Sequence, residues 1–570
     1  MTGSRGSRFA ALTLGLALGA APAPAQEVGA PLNIVPVQPG QTDAGAATTV
    51  PSEVETIAAA PIDAESYGTL GDADGGLGGE LWAGADRRLV EALLPMLGPV
   101  PGSPTLNDLA ARLLMTAAVP PGGEAHVHLL ALRLDRLLAL GRAPDSVPGA
   151  FADATVAGVA RRAAFQALLA RGDDEAACAE AQAAVQVDDQ PLWSRAMIFC
   201  QLRSGQTDAA LLGLDVLAES GTPLPASFRP LAEAMATGAT PAPQDLADAT
   251  VVEAALARAA GVATAVATDD PWVLAVLAGA PSLPDAARLG AAERAEALGA
   301  LNAADLGALY GAIAFDPAEI ADAATVAQTL EGPVARALLH QAARGQAPST
   351  ARAELILAAL AGAASPAEAA TAARAFAGLI AELPPAEALI WFAPSAIRAL
   401  LVAGRPVDAL AWWRLAQGRD AVVAASIEPL WPLARIAVLD AGEGGAERLA
   451  LWWQRTIVAD DPAGAERSAL ASALLSALGD GAGRGILADV AGVGVGTETP
   501  PTALLAALDA AAAAGRRGET VLLALLALRD GGPAGAPAAS VIAAVRGLVF
   551  VGLEDEARRL AIEAATAHGL

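Results

Sequence analysis

From Leu81 onward the apolar positions of the chain recur at helical spacing. Leu89, Leu93, Leu94 and Leu97 fall at i, i+4, i+5 and i+8, a single apolar stripe that predicts an amphipathic helix. The same pattern continues to Leu570 as a succession of helix, turn, helix and turn, clearest over 157–171, 173–187, 191–203 and 207–219. No stretch alternates apolar and polar residues with β-branched enrichment, so no sheet is expected. Residues 26–75 lack helical periodicity. They are rich in Pro, Gly, Ala and Thr, as in Pro36-Val37-Gln38-Pro39-Gly40-Gln41, and predict a disordered linker with a short helix near Ser52 to Ala59. Gly75-Gly76-Leu77-Gly78-Gly79 reads as its last flexible joint.

The turns between helices are of two kinds. In Arg171-Gly172-Asp173-Asp174, Ser204-Gly205-Gln206-Thr207-Asp208, Gly404-Arg405-Pro406-Val407-Asp408-Ala409 and Gly552-Leu553-Glu554-Asp555-Glu556-Ala557, a glycine ends one helix and acids open the next. Glycine suits the left-handed cap, and acids near a helix start are favoured by its macrodipole. In Asp188-Asp189-Gln190-Pro191, Asp269-Asp270-Pro271 and Asp460-Asp461-Pro462, an acid stands before a proline at the first helical position.

Gly404/Asp408/Ala409 and Gly552/Glu556/Ala557 have the spacing of the turn inside a tetratricopeptide hairpin, and Gly172 and Gly205 fall one residue short of it. Trp193 and the Asp-Asp-x-Pro turns resemble that family's repeat boundary. The period drifts, and most tyrosine-type positions are Ala or Leu. The resemblance implies an all-α chain: a TPR-like α-solenoid of antiparallel helical hairpins after a disordered N-terminal segment. Gly75 to Leu97 also resembles Ala-rich exported proteins of alphaproteobacteria.

Composition adds a compartment. Arg5 and Arg8, the apolar run Phe9 to Ala21 and the small residues Ala23-Pro24-Ala25 predict a secretory leader cut near Ala25–Gln26 and a periplasmic location. The expected organisation is leader 1–25, linker 26–75, helical array 76–478, Gly-rich loop or insertion 479–500 and C-terminal helical repeats 501–570. No later stretch is apolar for long enough to span a bilayer. The chain carries a net charge of -26 and every basic side chain is arginine, which disfavours nucleic acid and anionic headgroups as partners. Aromatics are only 4% of a 54% hydrophobic composition, and alanine, small and helix-favouring, makes up the difference.

Cys178 and Cys200 each lie eleven residues from the turn near Asp189, on opposite arms of one hairpin. Equal distance from a turn sets two residues side by side, and an oxidising compartment favours a disulfide over two separate buried thiols. His126, His128, His340 and His568 have no metal-ligand spacing. Asp173/Asp174, Asp269/Asp270 and Asp460/Asp461 stand at helix starts, where capping is the ordinary role of an acid. Gly479 to Gly485 and Gly492 to Gly496 lack the Gly-Lys-Ser/Thr of a phosphate loop. No cofactor or catalytic motif is expected.

Six of the nine tryptophans fall between 391 and 453: Trp391, Trp412, Trp413, Trp431, Trp452 and Trp453. Adjacent tryptophans on a helix cannot share one stripe, so one of each pair faces a second surface. That surface is either the next repeat or a concave groove in which tryptophans, with Arg414 and Arg455, anchor a ligand. This region is the expected binding surface. The leading expectation is a scaffold or adaptor for a protein partner with a basic or extended segment. The alternative is a cell-wall glycan-binding protein, or an enzyme resembling lytic transglycosylases with a helical superhelix, although Glu519 is followed by Thr520 rather than Ser.

Overall fold

The turn residues act as their chemistry dictates. In the computed structural model, Gly172, Gly205, Gly404 and Gly552 all have φ between +68° and +76°, the left-handed region that ends a helix without a Cβ clash. Asp173 caps its helix by accepting from the Ala176 amide at 3.2 Å, and Asp188 accepts from the Gln190 amide at 3.0 Å and the Trp193 indole at 2.8 Å. The helices these turns separate are Ala154–Ala170, Asp174–Ala184, Pro191–Arg203 and Thr207–Glu219, close to the expected limits.

The structure describes residues 63–143, 154–221, 223–239, 242, 246–262, 268–417, 421–457, 462–496 and 499–570. The leader, most of the linker, and Asp460 and Asp461 lie outside them. Among the described residues the chain is mostly helical, and β-type pairing is limited to isolated bridges at Leu70–Thr116 and Asp86–Gly122. Among these residues no helix is long and apolar enough to cross a membrane.

Helices pack chiefly on their chain neighbours and bury two apolar clusters. One spans Leu130 to Leu298 and holds Phe165, Trp193, Phe199 and Phe228, with the Phe165 and Trp193 rings edge-on at 5.3 Å. Each such side chain contributes roughly 1.5–3 kcal/mol by leaving water. The second cluster joins Leu77, Leu81 and Trp82 to residues as late as Leu570.

This second cluster is centred on the helix Glu554–Ala567. It packs on Pro104–Met115, Pro366–Ala381, Ala393–Val402, Trp431–Ile436, Pro462–Ala477 and Ala538–Phe550. Ala557, Ala561, Ala564 and Ala565 are fully buried, and residues this small let several helices approach one. Polar contacts tie the same regions together. Arg112 pairs with Glu556 at 2.5 Å, the Glu563 carboxylate accepts from the Thr105 amide at 3.0 Å and from the Ser103 hydroxyl, and the Gly518 amide donates to the Leu81 carbonyl at 2.8 Å.

Two expectations are corrected. Packing begins by Asp63, not after residue 75. The buried Arg133 guanidinium donates to the carbonyls of Tyr67 and Thr116 at 2.7 Å, Leu114 at 2.8 Å and Glu65 at 3.2 Å, and Arg87 holds the Glu65 carboxylate through two bonds of 2.7 Å. Leu77, inside the expected flexible joint, is buried and donates its amide to Thr116 Oγ1 at 3.0 Å. Composition described this segment's own residues but not the distant arginines that bind its backbone. The Gly-rich stretch after 479 is likewise no insertion over its described part. Gly481–Ile486 forms a 3-10 helix packed on Gly445–Ile457 and Pro462–Ala477. Its glycines permit that approach: a Cβ on Gly485 would lie 2.4 Å from the Ala446 carbonyl oxygen.

Gly518 gives a test of the contact between the early and late segments. A Cβ there would lie 2.6 Å from the Leu81 carbonyl oxygen and 2.7 Å from the Trp82 ring. Gly518→Ala is expected to destabilise the protein by about 1–3 kcal/mol through overpacking, despite the roughly 1 kcal/mol that alanine gains in helix propensity. Thermal unfolding measures the change, and a stabilised variant would mean that Trp82 does not rest on this helix.

Candidate binding surfaces and cavities

The tryptophan-rich region is core, which corrects its reading as a groove. Trp412, Trp413 and Trp431 are fully buried, and Trp452 and Trp453 nearly so. Both members of each pair are covered because their helices have neighbours on more than one side. Pro406–Gln417 packs against Ala393–Val402, Ala421–Ile427 and Glu387–Phe392, whereas Gly445–Ile457 lies against Gly481–Ile486 and Pro462–Ala477. The Trp412 ring meets Phe392 edge-on at 5.8 Å, and the Trp431 indole donates to Asp440 at 3.1 Å under the Arg448 guanidinium. Of the six, Trp391 is exposed, at 42%. Arg414, next in sequence to the buried pair, is exposed, and Arg455 reaches Glu428 at 3.5 Å.

Trp452 and Arg455 do reach a cleft, of about 690 Å³, together with Arg398, Arg467, Glu428, Pro429 and Leu570. Arg398 and Pro429 also line a second cavity of about 790 Å³. Its walls come from Ser349–Ala361, Pro366–Ala381, Ala393–Val402 and Glu554–Ala567. Glu563 and Arg398 are two of the charged groups on its walls. Burial pushes the Glu563 carboxyl above the ordinary carboxylate range, against the bonds from Ser103 and Thr105. Partial desolvation lowers the pKa of Arg398, an exposed residue that donates to a main-chain oxygen of Leu570.

Other buried charges are fully engaged. Glu293 accepts from Tyr310 at 2.6 Å and from Arg336 at 2.8 and 2.5 Å, and Glu296 accepts from Arg374 at 2.5 and 2.6 Å and Thr371 at 2.9 Å. These networks cross-link helices beside a cavity of about 850 Å³. Glu519 pairs with Arg516 at 2.7 Å.

Cys178 and Cys200 are disulfide-bonded, with Cα atoms 5.5 Å apart, joining Asp174–Ala184 to Pro191–Arg203. On the far side of Pro191–Arg203 lies Thr207–Glu219. This helix buries Ala210, Leu214 and Leu217 but exposes Leu212 at 66% and Val216 at 58%, with Asp208, Asp215 and Glu219 also exposed around them.

Arg398, Glu563 and the Leu212/Val216 face were all missed in the sequence. A signal existed for each. Arg398 and Glu563 are lone charges in apolar helical runs, Ala396-Ile397-Arg398-Ala399-Leu400 and Ala561-Ile562-Glu563-Ala564-Ala565, and Thr207–Glu219 carries more apolar positions than one stripe needs. No protein-family model, no curated protein and no solved structure matches the chain. Its class therefore rests on helical architecture and surface chemistry alone.

His340 supplies a pH test. Its ring lies 5.6 Å from Tyr310 and 5.2 Å from Phe376, and burial, with the nearby Arg344 charge, pushes its pKa down to about 4. The unfolded chain binds a proton near pH 6.5 that the folded chain refuses. Stability is thus full above that pH and falls as pH drops toward 4, by roughly 3 kcal/mol from this residue. Unfolding free energy followed from pH 7 to 4.5 should fall less steeply in His340→Leu than in the parent. Parallel curves would show that His340 accepts its proton freely in the folded protein.

Proposed function

We propose that the chain is an exported, TPR-like α-solenoid that acts as a scaffold or adaptor, holding a protein partner rather than transforming a substrate. The observation that carries this reading is the solvent face of Thr207–Glu219. An apolar face on both sides of one helix is the pattern of a buried element, yet here Leu212 and Val216 face water. Covering both contributes roughly 3–5 kcal/mol by area, enough for a hot spot at the centre of an interface. Exposed Asp208 and Glu219 around them favour a basic amphipathic segment as the occupant, while Asp215 is paired with Arg229 at 3.3 Å. The disulfide beneath stiffens this platform, and the arginine-bearing leader and the disulfide both suit the periplasm. The glycan-binding and lytic-transglycosylase-like alternatives draw less support, because the tryptophans they would use are mainly core and Glu519 is held by Arg516.

The test is in-cell crosslinking of the tagged protein through a photoreactive residue at Ala209, followed by identification of the captured chain. A partner of this kind is captured by the parent, maps through a basic segment, and falls by about tenfold or more with Leu212→Glu/Val216→Glu, while the variant's thermal unfolding is unchanged. Equal capture by the folded variant would remove this face from the interface.

A further inference from the structure

We propose that the cavity of about 790 Å³ between Pro366–Ala381, Ala393–Val402 and Glu554–Ala567 is a binding site for an uncharged apolar molecule of the long-chain alcohol type. The site shares no residue with the Thr207–Glu219 face and does not depend on the adaptor reading.

Size and lining define the hydrocarbon. The volume falls within the roughly 300–1,000 Å³ usual for small-molecule pockets. Leu357, Leu360, Val402 and Leu430 line it together with several alanines and prolines. Water that fills a space walled in this way meets apolar surface along most of its boundary, and a hydrocarbon that displaces it returns it to bulk.

The polar groups of the wall define the charge. Three lining residues can be ionised: Arg374, Arg398 and Glu563. Arg374 holds Glu296 through bonds of 2.5 and 2.6 Å. Glu563 accepts from the Ser103 hydroxyl and the Thr105 amide, and burial favours its neutral form. Arg398 is exposed and donates to a main-chain oxygen of Leu570. The hydroxyls of Thr566 and Ser426 donate to the carbonyls of Ile562 and Val423, at 2.8 and 2.6 Å. Each of these groups already has a partner within the protein, so none calls for a counter-ion. An ionic head drawn inside loses its hydration without gaining an opposite charge, whereas an uncharged molecule gives up little. Selection here is against charge of either sign.

The experiment is isothermal titration calorimetry of the full-length protein with decan-1-ol, decanoate and decylamine at about pH 8, where the acid is an anion and the amine a cation. The alcohol should bind tightest, by at least about tenfold over either ion. Hexan-1-ol should bind about tenfold or more below decan-1-ol, because its shorter chain buries less apolar surface. Ala370→Phe and Val402→Phe each put a ring into the cavity and should weaken decan-1-ol by about tenfold, with thermal unfolding showing which variant is folded. Leu212→Glu/Val216→Glu should leave that affinity unchanged. No saturable binding by the parent, either ion bound as tightly as the alcohol, decan-1-ol affinity unchanged in a folded filling variant, or binding lost with the outer face would each overturn the proposal.

Discussion

Close contact through alanine is the constraint on which this structure depends, and the helix Glu554–Ala567 shows it most clearly. Each fully buried alanine there removes little apolar area from water, so it stabilises less than a leucine would. What it permits is proximity. With Ala557, Ala561, Ala564 and Ala565 facing inward, one helix meets elements from residue 104 to residue 550. The same choice has a cost. Where several alanine-bearing helices converge, no side chain is large enough to fill the space between them. The cavities of about 850 and 790 Å³ are both lined in large part by alanine, glycine and proline, and both sit at such convergences.

Polar groups secure what alanine packing brings together, and arginine does this work in a chain without lysine. A planar fork can satisfy several carbonyls at once, which a single ammonium does less well. Arg133 binds four main-chain carbonyls, and burial lowers its pKa to about 10, with no carboxylate partner among its hydrogen bonds. Arg435 holds Asp480 at 2.6 Å and the carbonyls of Asp440 and Gly442 at 2.8 Å, fixing the glycine-rich turns after residue 479. A buried ion pair gains little over a well-packed apolar substitute, but losing one partner of such a pair is expensive. The effect of these arginines is therefore to fix geometry more than to add net stability.

What was legible in the sequence was local. Glycine and acid at fixed offsets marked the hairpin turns because cap chemistry involves only a few adjacent residues, as at Gly172 and Asp173. The neighbouring positions of Cys178 and Cys200 followed from counting along two arms of a single hairpin. Distant partners were not legible. The segment from Asp63 to Gly75 is composed like a linker, and partners placed by later helices, Arg87, Arg112 and Arg133 among them, hold it down. The paired tryptophans failed as a surface for a related reason. Helical periodicity locates one buried stripe, but Trp412 and Trp413 lie on a helix covered from several directions. Arg398 carried a sequence signal as a lone charge in an apolar helix, yet its place at the edge of a cavity emerges only from the arrangement of other elements.

The outer face of Thr207–Glu219 and the cavity at Arg398 differ in how they couple to folding. Thr207–Glu219 packs mainly on Pro191–Arg203 and Phe228–Thr237, so its outer face can be covered without rearranging the core. A partner there sees a surface that the disulfide-linked hairpin already holds. The cavity at Arg398 is another matter, because Glu563 and Thr566 in its wall belong to the helix that joins the early and late parts of the second core. A ligand that binds only the packed form adds RT ln(1 + [L]/Kd) to the stability of that packing. Occupancy of this cavity is thus linked to the firmness of the contacts around Glu554–Ala567, whereas occupancy of the outer face is not.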